Sequence, residues 1–450
     1  MKRIALQALL LWVVAGWLSA ACAESLLIEG MSAGHPAYAA FSETHPGVTI
    51  ETFSHNQFYS TNQVLNQLVS GEFPYDIFSM EFNGFNVRKL IEKGYCVDLS
   101  ESEAIRRELD QMHDAIVQQV SLDGKIYGVP DEVRIRYYAY NPQAWKAAGL
   151  SQEDVPTSFT GLLDFLERWI ERISKEPEDH ISVCYTFDAD LYNENSYVLY
   201  LTNRLIDNHV MQCSYAGEPV RFNTPEFRGL LKRCEEIGRA LYRYEPMEKG
   251  SMELFDDVSG MRDLYRLVPL RLTEEQPALI QAELHIYFAN AARSAQALAT
   301  EFLESLVATI QPENAAYLYQ ASQAVENPYY EDNVVNHQRR LADLALRLED
   351  DALSAEDRER LEWEIEAEQR HLEAYQTPEN RYAILGDDLA LYRSYGNNLY
   401  FQPPSVFDPA TDNGRNMQQL RDLFCAGQLP LEQFVSRLDE LAWMVEIENQ

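Results

Sequence analysis

Residues 25–80 read SLLIEGMSAGHPAYAAFSETHPGVTIETFSHNQFYSTNQVLNQLVSGEFPYDIFSM, a run in which short β-prone stretches alternate with amphipathic helical ones. Ser25 to Glu29 predicts a strand, Pro36 to Glu43 a helix and Val48 to Phe53 a second strand. Thr61 to Ser70 predicts a helix with Val64, Leu65 and Leu68 turned inward, Asp76 to Met80 a third strand, and Val87 to Lys93 a helix stopped by Gly94. Alternation at this spacing implies right-handed βαβ units and a sheet covered on both faces. In such a sheet the ligand position is the carboxyl edge.

The pattern changes at Gly124. Gly124 to Pro130 (GKIYGVP) is a tight turn into an extended segment, and Val133 to Tyr140 is apolar, aromatic and β-prone before Asn141-Pro142 opens a helix. A strand here carries the chain into a second lobe. In that lobe a helix follows Pro156-Thr157 through Ile173, His180 to Phe187 reads as a strand and Tyr192 to Asn208 as a helix. Thr224-Pro225 starts another helix in cap-then-Pro order. Leu284 to Phe288 is a second β-prone strand, returning the chain to the first lobe, where Ala295 to Val307 is helical. The expected division is therefore 24–135 with 284–312 for lobe 1, and 136–283 with 313–450 for lobe 2.

Residues 331–375 differ in kind. Val334, Leu341, Leu344 and Leu348, then Leu361, Ile365, Leu372 and Tyr375, fall at seam spacing with charged residues between them. They predict an antiparallel helical hairpin whose second arm starts at Ser354 with Asp357 as a capping pair. Such a hairpin serves as a solvated decoration or as a partner-docking arm.

The chain has 450 residues, 46% hydrophobic and 24% charged, which suits a globular protein with a sizeable core. Its 71 acidic against 37 basic residues give a charge of −34, which repels phosphate backbones and anionic headgroups and argues against nucleic-acid and peripheral membrane roles. Residues 1–23 read as a secretory signal: Lys2 and Arg3, an apolar stretch from Ile4 to Leu18, then small residues around Ala20, Ala21 and Ala23. Cleavage before Glu24 and lipidation of Cys22 in a lipobox-like Ser19-Ala20-Ala21-Cys22 are both readable, the second placing a lipid anchor on Cys22. The remaining Cys96, Cys184, Cys213, Cys234 and Cys425 form no metal-like spacing, and Cys234 lies on the apolar stripe of its helix.

Taken in order, Phe41 with His45 to Ile50, Leu65 to Ile77 (LNQLVSGEFPYDI), Leu90 to Leu99 (LIEKGYCVDL), Asp123 to Pro130 (DGKIYGVP), Tyr140-Asn141 and Gly149 to Thr157 carry a resemblance. Ala282 to Asn290, Phe302-Leu303-Glu304 and Gly427 to Leu438 continue it. The set resembles the family 1 extracellular solute-binding proteins of ABC importers, and the hairpin, with Glu379-Asn380-Arg381 and Leu389 to Tyr395 after it, resembles an insertion found in a subset of them. The resemblance implies an α/β, two-lobed, periplasmic-binding-protein-like (type II) clamp with hinge strands and an inserted helical hairpin. It also implies an exported monomer, a cell-surface lipoprotein or a periplasmic or extracellular protein, that captures a sugar or oligosaccharide and delivers it to permease subunits. No catalysis and no cofactor follow from it.

Gly30-Met31-Ser32-Ala33-Gly34 matches GxSxG between a predicted strand and helix, the setting of a hydrolase nucleophile, so a secreted serine hydrolase using Ser32 is the rival from another class. A glycine-rich turn at the sheet edge is the plainer reading. Asp188, Asp190, Asn193 and Glu194 crowd one loop but lack EF-hand spacing, and the nine histidines form no metal motif, so no metal is expected. A sugar site needs rings that stack and polar groups that satisfy hydroxyls. Strand-end positions that offer them are Ser32, Asn56, Phe58, Tyr59, Glu81, Phe82 and Asn83 in lobe 1, Asp131, Glu132 and Arg134 at the crossing, and Phe187, Asp188 and Tyr192 in lobe 2. Glu81, Asp131, Glu132 and Asp188 without compensation would instead suit a polyamine, and a peptide is the other alternative within the same fold.

Overall fold

The computed structural model describes residues 24–53, 61–81, 84–175, 182–184, 195–244, 253–259, 266–268, 271–350, 353–396, 398–401 and 412–448. The expected signal at 1–23, with Cys22, lies outside them. Leu26 and Ile28 are fully buried on one face of Ser25–Glu29, which makes that segment strand β1. After helix α1 (Pro36–Thr44), β2 (Thr49–Phe53) pairs with β1 in parallel, Ser25 opposite Thr49 and Glu29 opposite Phe53. Helix α2 (Thr61–Ser70) leads to β3 (Ile77–Glu81), parallel to β1 on its other side. Helices α3 (Gly84–Glu92), α4 (Glu103–Leu109) and α5 (Asp114–Val120) follow, then a small hairpin of β4 (Ser121–Leu122) and β5 (Lys125–Ile126). Asp123 and Gly124 turn it with φ of 52° and 77°, the left-handed pair that a two-residue hairpin loop requires.

Strand β6 (Val129–Tyr140) is longer than its predicted core and carries the chain from one compact unit to the other, the division falling between Glu132 and Val133. In the second unit come α6 (Pro142–Ala147), α7 (Phe159–Lys175), β7 (Ser182–Cys184), α8 (Ser196–Ala216), α9 (Pro225–Tyr244), β8 (Glu253–Ser259) and β9 (Arg266–Val268). β8 pairs with β6 antiparallel and with β7 in parallel, while β9 pairs with β6 at Tyr138 to Tyr140. Helix α8 runs eight residues past its predicted end at Asn208 and stops at Gly217, whose φ of 69° is a left-handed cap. Trp145, Phe165, Trp169 and Phe255 form the aromatic centre of this unit, with Trp145 and Phe165 stacked 5.1 Å apart. Cys234 is fully buried among these apolar side chains, as its place on the helix stripe predicts.

Strand β10 (Ile280–Ala289) returns the chain, entering the first unit at Leu284. There it pairs antiparallel with β3, His285 opposite Glu81 and Ala289 opposite Ile77, and α10 (Gln296–Val307) covers the sheet. Phe78 and Phe288 stack 5.5 Å apart in the core, and Phe41 of α1 meets Phe302 of α10 at 5.3 Å. The Pro74-Tyr75-Asp76-Ile77 motif has a structural role: the buried Asp76 carboxylate accepts from the Leu27 N–H at 2.9 Å and from Arg293 Nε at 2.9 Å. It thereby ties β1 to the turn after β10.

From Pro312 the chain belongs to the second unit again, with α11 (Pro312–Leu318), β11 (Val325–Glu326), α12 (Tyr330–Leu348) and α13 (Ala355–Tyr375). The last two are the predicted hairpin, and Ser354 caps α13 by accepting from the Asp357 N–H at 3.1 Å. Its seam is partly polar. Besides Val334, Leu344, Leu361 and Tyr375, the seam buries Glu368, which binds His337 Nδ1 at 2.6 Å and Arg340 Nε at 3.4 Å. Strand β12 (Tyr382–Ile384) pairs with β11. Then come α14 (Gly386–Ser394), β13 (Leu399–Phe401) beside the start of β10, α15 (Asp412–Cys425) and α16 (Leu431–Glu448).

Candidate functional site

The carboxyl ends of β1 and β3, the start of β10 within the first unit and the last residues of β6 before the unit boundary supply one polar cluster. Glu29 ends β1 with a buried carboxylate, and the chain turns immediately at Gly30, whose φ of 85° a side chain would oppose. The Gly30 N–H donates to the Phe53 carbonyl at 2.8 Å, and the Gly30 carbonyl accepts from the Tyr287 hydroxyl at 3.0 Å. Tyr287 and His285 lie two residues apart on β10 and therefore share a face. Their rings meet edge-on at 4.9 Å. His285 Nδ1 lies 2.6 Å from Asp131 Oδ1, a short contact between a half-buried imidazole and a buried carboxylate.

His35 completes the cluster. Its Nδ1 accepts from the Ala37 N–H at 3.2 Å and so caps α1, which leaves the proton of the neutral ring on Nε2. Burial holds its pKa below the ordinary imidazole value, with Asp131 opposing that shift and His285 adding to it. The Tyr287 hydroxyl is pushed up by burial first, then by the fields of Asp131, Glu29 and Glu132. Glu29, Asp131 and Glu132 thus act on the Tyr287 hydroxyl, and Asp131 and His285 on His35, within a single unit. The set is rich in acceptors and suits a ligand that brings several O–H or N–H donors.

Of the residues predicted from sequence, Asp131 and Glu132 belong to this cluster, buried and half-buried respectively. Glu81 ends β3 opposite His285 in the strand register. Ser32 is exposed in the turn after Gly30, its carbonyl accepting from the His35 N–H at 3.0 Å. Among the described residues its hydroxyl has no hydrogen bond to a histidine, the contact a hydrolase nucleophile requires. Arg134 is exposed and belongs to the second unit. Asn56, Phe58, Tyr59, Phe82, Asn83, Phe187, Asp188 and Tyr192 lie outside the described residues, as does the acidic loop from Asp188 to Glu194. Glu29, His35, His285 and Tyr287 were not anticipated. The available signal was the alternation of Leu284, Ile286 and Phe288 with His285 and Tyr287, which sets two polar rings on one face of the return strand.

Residues 37–201 match the family model described as bacterial extracellular solute-binding protein. This stretch runs from α1 into α8 and includes Asp131 and Glu132. The chain resembles extracellular solute-binding proteins in sequence there, and in fold over nearly its whole length. A putative binding protein of Bacillus subtilis, solved in an open conformation, aligns with a TM-score of 0.55 at 12% identity, covering 95% of this chain and 99% of that one. A chitin oligosaccharide binding protein aligns with a TM-score of 0.52 at 14% identity, over 93% and 98%. The cyclic alpha-maltosyl-1,6-maltose binding protein of Arthrobacter globiformis gives 0.51 at 14% identity, over 93% and 97%. At these identities the likeness establishes the fold, a periplasmic-binding-protein-like α/β architecture. No curated protein sequence matches the chain significantly.

Proposed function

We propose that this chain is the extracytoplasmic solute-binding component of an ABC importer, capturing a sugar or oligosaccharide and presenting it to permease subunits. The observation that carries this reading is the cluster of Asp131, Glu132, His285 and Tyr287 at the ligand edge of an α/β sheet, in a chain with the solute-binding fold. A sugar ring brings many hydroxyl donors, and carboxylates accept from them pairwise. The protein is exported by its N-terminal signal, either cut before Glu24 or held at the membrane by an acylated Cys22, and works as a monomer. It binds without catalysing, because ligand capture needs only affinity that differs between the free and bound conformations. The Ser32 hydrolase reading gains no support from a partner histidine among the described residues.

A thermal-shift screen of the purified protein against oligosaccharides, polyamines and peptides tests this proposal. A saccharide that raises the melting temperature in a concentration-dependent way, by mass action on the folded state, is the expected result. A response to polyamines or peptides alone would overturn the carbohydrate assignment.

A further inference from the structure

The second unit contains a cavity of about 710 Å³, within the size range of small-molecule sites. Tyr140, Arg266, Glu379, Asn380, Asp387 and Asp388 contribute to its lining. It lies at the far end of β6, seven residues or roughly 23 Å of extended strand beyond Val133, where β6 enters this unit. The polar cluster at Asp131 contributes nothing to it.

Two observations point to the ligand. Asp388 is only 7% exposed, yet among the described residues no hydrogen bond or ion pair reaches its carboxylate. Arg266 acts on it only through its field. A place in the first turn of α14 favours an acid by about 0.3–1 kcal/mol. That benefit accounts for the exposed Asp387 beside it, but Asp388 lies deeper, where only the cavity gives its charge access to water. Burial accordingly leads the causes that raise the Asp388 pKa above the ordinary carboxyl value. The second observation is the charge of the lining. Glu379, Asp387 and Asp388 line the cavity against a single cation, Arg266, and no group of three or more His, Cys, Asp or Glu among the described residues could hold a metal ion. An acidic chamber without a metal-holding group matches an organic cation, and Tyr140 and Leu391 line the same chamber beside the acids.

We infer that this cavity is a second ligand site, distinct from the Asp131 cluster, which takes an aliphatic di- or polyamine with one ammonium on Asp388 and others on Glu379 and Asp387. The inference does not depend on the carbohydrate reading. An amine bound here would stabilise the second unit and leave sugar capture at the Asp131 cluster to proceed by itself.

Calorimetric titration of the full chain with spermidine at low and high salt tests it, using the wild type, Asp388→Asn and Asp131→Asn. The expected result is one spermidine per chain, weakened at high salt, at least tenfold weaker in D388N and unchanged in D131N. Asp388→Asn should also raise the melting temperature without amine, showing that the variant folds and that the buried charge is relieved. Absence of spermidine heat up to millimolar concentration, equal affinity in D388N, or loss in D131N with retention in D388N would each overturn the inference. So would magnesium ions binding with the same dependence on Asp388 in place of spermidine.

Discussion

Two glycines in helix α9 face opposite surroundings. A Cβ added at Gly238 would stand 2.6 Å from the Val198 backbone nitrogen, 2.7 Å from its Cα and 2.8 Å from its Cγ2. The obstacle is mainly the backbone of α8, so α8 and α9 would have to part by roughly 0.8 Å to restore a carbon–carbon separation near 3.5 Å. Overpacking of this sort costs about 1–3 kcal/mol. The alanine recovers about 0.8–1 kcal/mol of helix propensity, which leaves Gly238→Ala destabilised by up to about 2 kcal/mol. At Gly229, nine residues earlier in the same helix, an added Cβ meets nothing within 4 Å. Only the propensity gain operates there, and Gly229→Ala should stabilise by about 0.5–1 kcal/mol. Urea denaturation followed by tryptophan fluorescence reads this unit directly, because Trp145 and Trp169 sit in its core. The midpoint should fall for G238A and rise for G229A. A G238A midpoint raised above wild type, as for G229A, would refute the close approach of α8 and α9.

Three further outcomes follow from the same kind of reasoning. His35, His113 and His209 are each held below the ordinary imidazole pKa, burial being the largest cause in every case. The folded state therefore binds fewer protons than the unfolded chain below about pH 6.5, so stability is full above that value and falls as the pH drops below it; His113→Gln should flatten the slope of melting temperature against pH. In the hairpin, Glu368→Ala removes a buried carboxylate shared by His337 and Arg340 and should cost about 1.5–3 kcal/mol, whereas Glu373→Ala on the exposed face should cost little in the same thermal melt. Buried Cys96, Cys234 and Cys425, with pKa values raised by burial, should resist a thiol reagent in the native protein and react on unfolding.

Local patterning made much of the first unit legible. The strand predicted over Ser25 to Glu29 and the helix over Thr61 to Ser70 have those bounds in the structure, because apolar periodicity and flanking turn residues coincide there. The hairpin was equally readable, from its seam and the Ser354 cap. Helices α4 and α5, seven residues each, are shorter than the window in which a 3.6-residue period stands out. Strand β8 carries Asp256 and Asp257, residues that β propensity disfavours, and it forms by pairing with β6 instead. The site was legible only in part for a related reason. Asp131 could be singled out as a carboxylate near a strand crossing, but its partner His285 lies 154 residues away and meets it only when β6 and β10 fold into one unit. Polar pairing across such a distance leaves no trace in either segment alone. The same holds for Glu368 and His337, hidden within a seam whose spacing reads as apolar.

The central claim is that a saccharide is held by the acceptor cluster around Asp131. Its most direct test is equilibrium titration of maltodextrins, chitin oligosaccharides and xylo-oligosaccharides into the wild type and Asp131→Asn, with melting temperatures confirming that both are folded. Loss of a charge-assisted hydrogen bond is worth about 1.5–3 kcal/mol, or roughly 10- to 100-fold in affinity. At least one saccharide binding the wild type at one per chain, and D131N weaker by that factor, is the expected result. No binding by any saccharide, or equal affinity in the two proteins, would contradict it.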